Sequence, residues 1–137
     1  MPTRVMLFNG NAVTQEFITL ALPSPMFGIY MAADVPEAIR ALHSASKRVV
    51  VIIDYPVTSW QLSAQFIEAA AQDDDLVHRH TYVIMLSTDE TLPLHVSKSL
   101  NKLSSILIAK PASKEQILSI VQIMAQRQPP GHSSSDA

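Results

Sequence analysis

The chain has 137 residues, 47% of them hydrophobic and 16% charged, which suits one compact domain built around a single core. A formal charge of −2, with ten Lys and Arg scattered along the chain, excludes the basic patch of a nucleic-acid binder. No cysteine is present, so neither a disulfide framework nor a thiolate metal site can form, and no apolar run approaches the ~20 residues that cross a bilayer as a helix.

Met1-Pro2-Thr3-Arg4 lacks the long apolar region of a secretory signal and leads straight into a strand, Val5-Met6-Leu7-Phe8. A cytoplasmic protein without membrane contact is the expectation. Asn9-Gly10-Asn11 follows, and then Val13, Phe17, Leu20 and Ala21 recur on one helical face, which is expected to turn inward. Pro23 and Pro25 close that helix, and Phe27 to Ala33 reads as a second strand. Asp34 and Glu37 form a helix-start pair ahead of the stripe Val35, Ala38, Ile39 and Leu42. Five consecutive β-branched residues, Val49 to Ile53, suit a strand buried on both faces, and Asp54 ends it.

Thr58 and Gln61 stand at capping-box spacing before a helix carrying Leu62, Phe66, Ile67 and Ala70. Asp73-Asp74-Asp75 and His78-Arg79-His80 then bracket an expected loop. The triple aspartate reads as a solvated turn, and His78 and His80 lack the third ligand a zinc site needs. Tyr82 to Leu86 is the fourth strand, ending at Ser87-Thr88. Pro93 suits a helix first turn before Val96, Leu100 and Leu103. Ile106 to Ala109 is the fifth strand, ending at Lys110-Pro111. Ser113 and Gln116 repeat the capping-box spacing and open a helix with Ile117, Ile120, Val121 and Met124 inward. The segment 128–137, Gln-Pro-Pro-Gly-His-Ser-Ser-Ser-Asp-Ala, reads as a disordered tail or linker after a domain spanning 1–127.

Five β-α units with every connection a crossover imply a parallel sheet covered by helices on both faces. The doubly wound rule favours a flavodoxin-like α/β fold with strand order 2-1-3-4-5. In that order Asn9, Asp54, Ser87 and Lys110 share the rim where sites form in open α/β sheets.

An aspartate, a hydroxyl and a Lys-Pro at the ends of strands three, four and five resemble the receiver domain of two-component response regulators. The resemblance covers Arg4 to about Arg127. It implies that Asp54 is the phosphoacceptor equivalent and that Ser87, Thr88 and Lys110 stand where phosphate contacts are made. It also implies an acidic pair for Mg²⁺ after the first strand, and here those positions hold Asn9 and Gly10. Leu107 occupies the place of the mobile switch aromatic, Thr88 adds bulk where a small residue is usual, and Pro56 precedes the usual proline position. Tyr55 and Trp60 flank the site loop as packing residues or as partner anchors.

The expectation is a degenerate, pseudo-receiver module of a two-component or phosphorelay regulator. It is not an enzyme and has no cofactor beyond weak Mg²⁺ at Asp54, and it works through contacts with a protein partner. A homodimer through the helix 4, strand 5, helix 5 face, from Pro93 to about Arg127, is the contact the resemblance implies. Two alternatives stand beside it. One is a working receiver charged on Asp54 by a histidine kinase. The other is a flavodoxin-like flavin carrier with a phosphate cradled by Asn9 to Thr14.

Overall fold

The computed structural model describes residues 2–87 and 89–127. The tail expected at 128–137 lies outside the described residues. Five parallel strands, β1 (Thr3–Phe8), β2 (Phe27–Ala32), β3 (Val49–Tyr55), β4 (Thr81–Ser87) and β5 (Ser105–Lys110), form one sheet in the order β2-β1-β3-β4-β5. Both the all-parallel pairing and the order match the sequence expectation. The central strand β3 is buried over its whole length, which is why it reads as an unbroken β-branched run and not as an alternating one.

Side chains alternate across the sheet and build two cores. Met6, Phe8, Val51, Ile53, Tyr82 and Ile84 face one side. There they meet α2 (Val35–Ser44), α3 (Trp60–Ala71), α4 (Asp74–Arg79) and α5 (Leu94–Leu100). Val5, Leu7, Val50, Ile52, Val83 and Met85 face the other side, against α1 (Ala12–Ala21) and α6 (Lys114–Gln126). Phe8 stacks on Phe66 with ring centroids 4.5 Å apart, joining β1 to α3 through the larger core. No helix among the described residues is long and apolar enough to cross a membrane.

Three local expectations need correction. The segment after Asp73 is a helix, α4, and not a loop. Asp73 caps it by accepting from the Leu76 N–H, the acidic residues Asp74 and Asp75 fill its first turn, and Arg79 lies in its last. In α1 the buried residues are Ile18 and Ala21, while Val13 and Leu20 are exposed, so the inward stripe is rotated from the one the spacing predicts. The cap of α3 is Ser59, without a side-chain cap bond, in place of the expected Thr58. The other two starts hold. Asp34 caps α2 by accepting from the Glu37 N–H, and Ser113 with Gln116 forms a full capping box on α6.

Candidate functional site

Asp54 is the penultimate residue of β3, and alternation turns its side chain toward the α1 and α6 side of the sheet. The carboxylate is 3% exposed and has a partner on each oxygen. Lys110 Nζ at the end of β5 donates to Oδ1 at 2.7 Å, and Thr14 Oγ1 in the first turn of α1 donates to Oδ2 at 3.2 Å. This ion pair joins the ends of strands three and five, two of the residues expected to share the rim. Thr14 is a member of the site that the sequence reading missed, because a single threonine three residues after an asparagine cap carries no motif.

The loop from β1 to α1 is held by its own side chains. Asn9 sits in the left-handed region, φ 62°, which asparagine tolerates better than most residues. Its amide makes no hydrogen bond to the Asp54 side chain among the described residues. Nδ2 donates to the Ser59 carbonyl at 3.1 Å and to Ser63 Oγ at 3.0 Å, stitching this loop to the start of α3. Ser63 in turn donates to the main-chain carbonyl of Asp54. Gly10 is crowded: a Cβ there would lie 2.6 Å from Leu7 Cδ2, and Leu7 is buried. Asn11 caps α1 by accepting from the Thr14 N–H at 2.9 Å, and Gln15 Nε2 donates to the Gly10 carbonyl at 2.8 Å.

Asp54 and these loop residues line a depression of about 150 Å³ with Pro56, Thr58 and Ser59. The residues present do not fit a Mg²⁺ site. Magnesium asks for hard oxygen ligands, commonly one or two carboxylates with waters. The one carboxylate lining it is occupied on both oxygens, Asn9 offers only a neutral amide whose Nδ2 is held by Ser59 and Ser63, and Gly10 has neither a side chain nor room for one.

Ser87 does not join this cluster. In the register it stands beside Lys110, whereas Asp54 is level with Met85, two residues earlier in β4. It lines a separate depression with Leu86, Glu90, Leu107, Ile108 and Ala109, and no bond among the described residues links it to Asp54. Thr88 lies outside the described residues. Leu107 is 50% exposed on the edge strand β5. Tyr55 is a packing residue, buried in the larger core beside Trp60 with ring centroids 6.3 Å apart. Burial raises the pKa of its hydroxyl.

The aspartate and histidine clusters flagged in the sequence lie at the opposite edge of the sheet. His43, at the end of α2, places Nε2 2.7 Å from Asp73 and Nδ1 3.0 Å from Asp75. Carboxylates only accept, so the imidazolium, with a proton on each ring nitrogen, is the form that can donate to both. Hydrogen bonding to Asp75, then to Asp73, raises its pKa. Asp75 is held down to about 2, chiefly by the Arg79 guanidinium. His80 is buried and neutral. Its Nδ1 accepts from the Val49 N–H at 2.9 Å and its Nε2 donates to the Leu42 carbonyl at 3.0 Å. Burial lowers its pKa from 6.5 to about 4. The exposed His78 ring contacts the Asp74 carbonyl of its own helix, so the two histidines do not form a pair.

No protein-family model and no curated protein sequence matches the chain. Solved structures do match its fold. A response regulator from Chloroflexus aurantiacus superposes with a TM-score of 0.71 at 12% identity, over 93% of this chain and all of the other. The receiver domain of a sensor histidine kinase from Pseudomonas aeruginosa, which has a magnesium ion in its active-site cleft, gives 0.63 at 18% identity, again over 93% of this chain and all of its own. The pseudo-receiver domain of the CikA protein gives 0.62 at 12% identity, over 92% and 99% of the two chains. The chain therefore has the CheY-like, flavodoxin-like fold of receiver domains, with both orthodox receivers and a pseudo-receiver among its structural neighbours.

Proposed function

We propose that this chain is a degenerate receiver: a signalling module that keeps the receiver fold, does not accept phosphate, performs no catalysis and acts through protein contacts. The observation that carries the reading is the closed state of Asp54, whose two carboxylate oxygens are taken by Lys110 and Thr14 in the absence of any neighbouring carboxylate. Phosphoryl transfer to a carboxylate needs a free oxygen in line with the donor and positive charge around the transferring group. Here the nucleophile and Lys110 neutralise each other, and the depression beside them is lined by no second carboxylate among the described residues.

The contact surface in this reading is the α5-β5-α6 side. Leu94, Leu107 and Ile123 are exposed there, with Asn101, Lys102, Lys114 and Gln122 available as a polar rim. The partner is a second copy or another cytoplasmic signalling protein. A flavin carrier is disfavoured by the same loop, since the Asn11 side chain already caps α1 and the Thr14 hydroxyl is given to Asp54. Incubation with acetyl phosphate and Mg²⁺, followed by intact mass, tests the central point. The expected result is an unmodified chain. A phosphoryl adduct lost on Asp54→Asn would establish the working receiver instead.

A further inference from the structure

Beside the Asp54–Lys110 pair, and apart from the depression that Asp54 lines, lies a cleft of about 400 Å³. Val13 and Phe17, one turn apart on α1, form one wall, and Pro111 and Ala112, after β5, form the other. Met85, level with Asp54 in the β3–β4 register, contributes to the lining between them. The two polar lining groups are Thr14 and Lys110. The cleft also accounts for an anomaly in α1: Val13 is 78% exposed although the periodicity places it with the apolar residues. An apolar wall with few polar groups at one end is the usual make-up of a small-molecule site, and the volume lies within the usual range.

The polar end favours an anion. Asp54 is buried behind Lys110 and does not line the cleft, while Lys110 does and is 29% exposed. An ammonium has three donors, and Asp54 uses one of them. Among the described residues no other acceptor bonds Lys110, so its remaining N–H groups can meet an acceptor that enters from the cleft. A carboxylate placed there would share Lys110 with Asp54, and an attached hydrocarbon would cover Val13, Phe17 and Met85. We infer that this cleft binds a small amphipathic carboxylate, with its head on Lys110 and its apolar tail between α1 and the Pro111-Ala112 segment. The inference stands independently of whether Asp54 accepts phosphate. Because the ligand and Asp54 compete for one cation, occupancy and the Asp54–Lys110 contact are coupled, and each weakens the other.

Octanoate is the probe, with n-octanol as its uncharged counterpart and butyrate as its short one, each titrated into the ¹⁵N-labelled chain and followed by amide shifts. Saturable octanoate shifts centred on Val13, Thr14, Phe17, Lys110 and Ala112 are expected. Butyrate should bind at least about tenfold more weakly, since each buried methylene adds to transfer free energy. Lys110→Met should weaken octanoate about tenfold and leave octanol unchanged, whereas Asp54→Asn should tighten octanoate by releasing Lys110. Val13→Asp, at an exposed position that leaves the core intact, should abolish both. No saturable binding, equal binding of octanoate and octanol, shifts centred on another face, or indifference to Asp54→Asn in a folded variant would each overturn the inference.

Discussion

At the amino edge of the sheet, a network of ionic and buried polar side chains ties several elements together, whereas among the described residues the carboxyl edge holds a single buried ion pair beside the Asn9 and Ser63 bonds. His80 bonds β3 and α2, Thr81 Oγ1 donates to the Met124 carbonyl in α6, and the Tyr82 hydroxyl donates to the Leu76 carbonyl in α4. Arg79 bonds the carbonyls of Leu42, His43 and Ala45 while pairing with Asp75, so it satisfies the end of α2. At the carboxyl edge, one buried carboxylate meets one lysine and one hydroxyl. The edge where this fold places its chemistry is thus sparse in charge, and the edge that holds the domain together is rich in it.

The amino edge should therefore be the more expensive to break. His80→Ala leaves the Val49 N–H and Leu42 carbonyl buried without partners and opens a cavity, so a loss of about 3 kcal/mol is expected. Acid should imitate it. The native pKa is depressed, so the stability from neutral His80 is present above the unfolded value of 6.5 and is lost as pH falls toward about 4. The shift corresponds to roughly 3 kcal/mol across that window. His43 works in the opposite sense: its raised pKa stabilises below 6.5, and the gain is lost as pH rises through the native value. Denaturant midpoints of the parent and His80→Ala across this range separate the two, and equal acid sensitivity in both would refute the assignment to His80.

The carboxyl edge should respond less. Lys110→Met strands a carboxylate that is 3% exposed with only Thr14 as partner. Buried pairs broken on one side cost several kcal/mol, but Lys110 is partly exposed and water can reach the gap, so about 2 kcal/mol is expected. Asp54→Asn should cost about 1 kcal/mol, because Lys110 can turn to solvent. The double variant should cost less than the sum of the two. Additive losses would show that the pair does not hold the rim closed.

Restoring the missing acid should not restore a metal site. Gly10→Asp drives its Cβ against the buried Leu7, so a loss of about 1 to 2 kcal/mol is expected, with no saturable Mg²⁺ binding. A stable variant that binds Mg²⁺ would mean that only the carboxylate was lacking and that the loop has not been repurposed.

The strand order and the Asp54–Lys110 meeting were legible in the sequence because they follow from long apolar runs and from the residues at their ends. The buried run Val49–Ile53 fixes the centre of the sheet, and parallel crossovers then leave little choice. The features that escaped depend on rotation and on loop course. The inward face of α1 is set by how the helix seats on Ile18 and Ala21, and spacing alone allowed Val13 to be drawn inward. Asn9 was read as a vacant ligand position, yet its left-handed backbone and its bonds to Ser59 and Ser63 could not be seen without the neighbouring loop. The helix α4 did carry a signal, an aspartate cap with an acidic first turn and a basic last turn, hidden by its resemblance to a polar turn.

The smallest effect on stability is expected where the proposed contact surface lies. Lys102 and Lys114 are exposed and bond no acidic partner among the described residues, so reversing both to Glu should shift stability by less than about 0.5 kcal/mol. Both edges of the sheet should be untouched by the change, because neither residue belongs to the Asp54 cluster or to the His43 and His80 network. Association is where the change should appear. Complementary charge steers encounter and fixes register more than it adds affinity, so reversal on the rim of an interface should weaken self-association or partner capture with the unfolding curve unchanged. Sedimentation of the parent and the variant over a concentration series, beside their denaturant midpoints, measures both quantities. An unchanged sedimentation profile and unchanged partner capture would move the contact away from the α5-β5-α6 side.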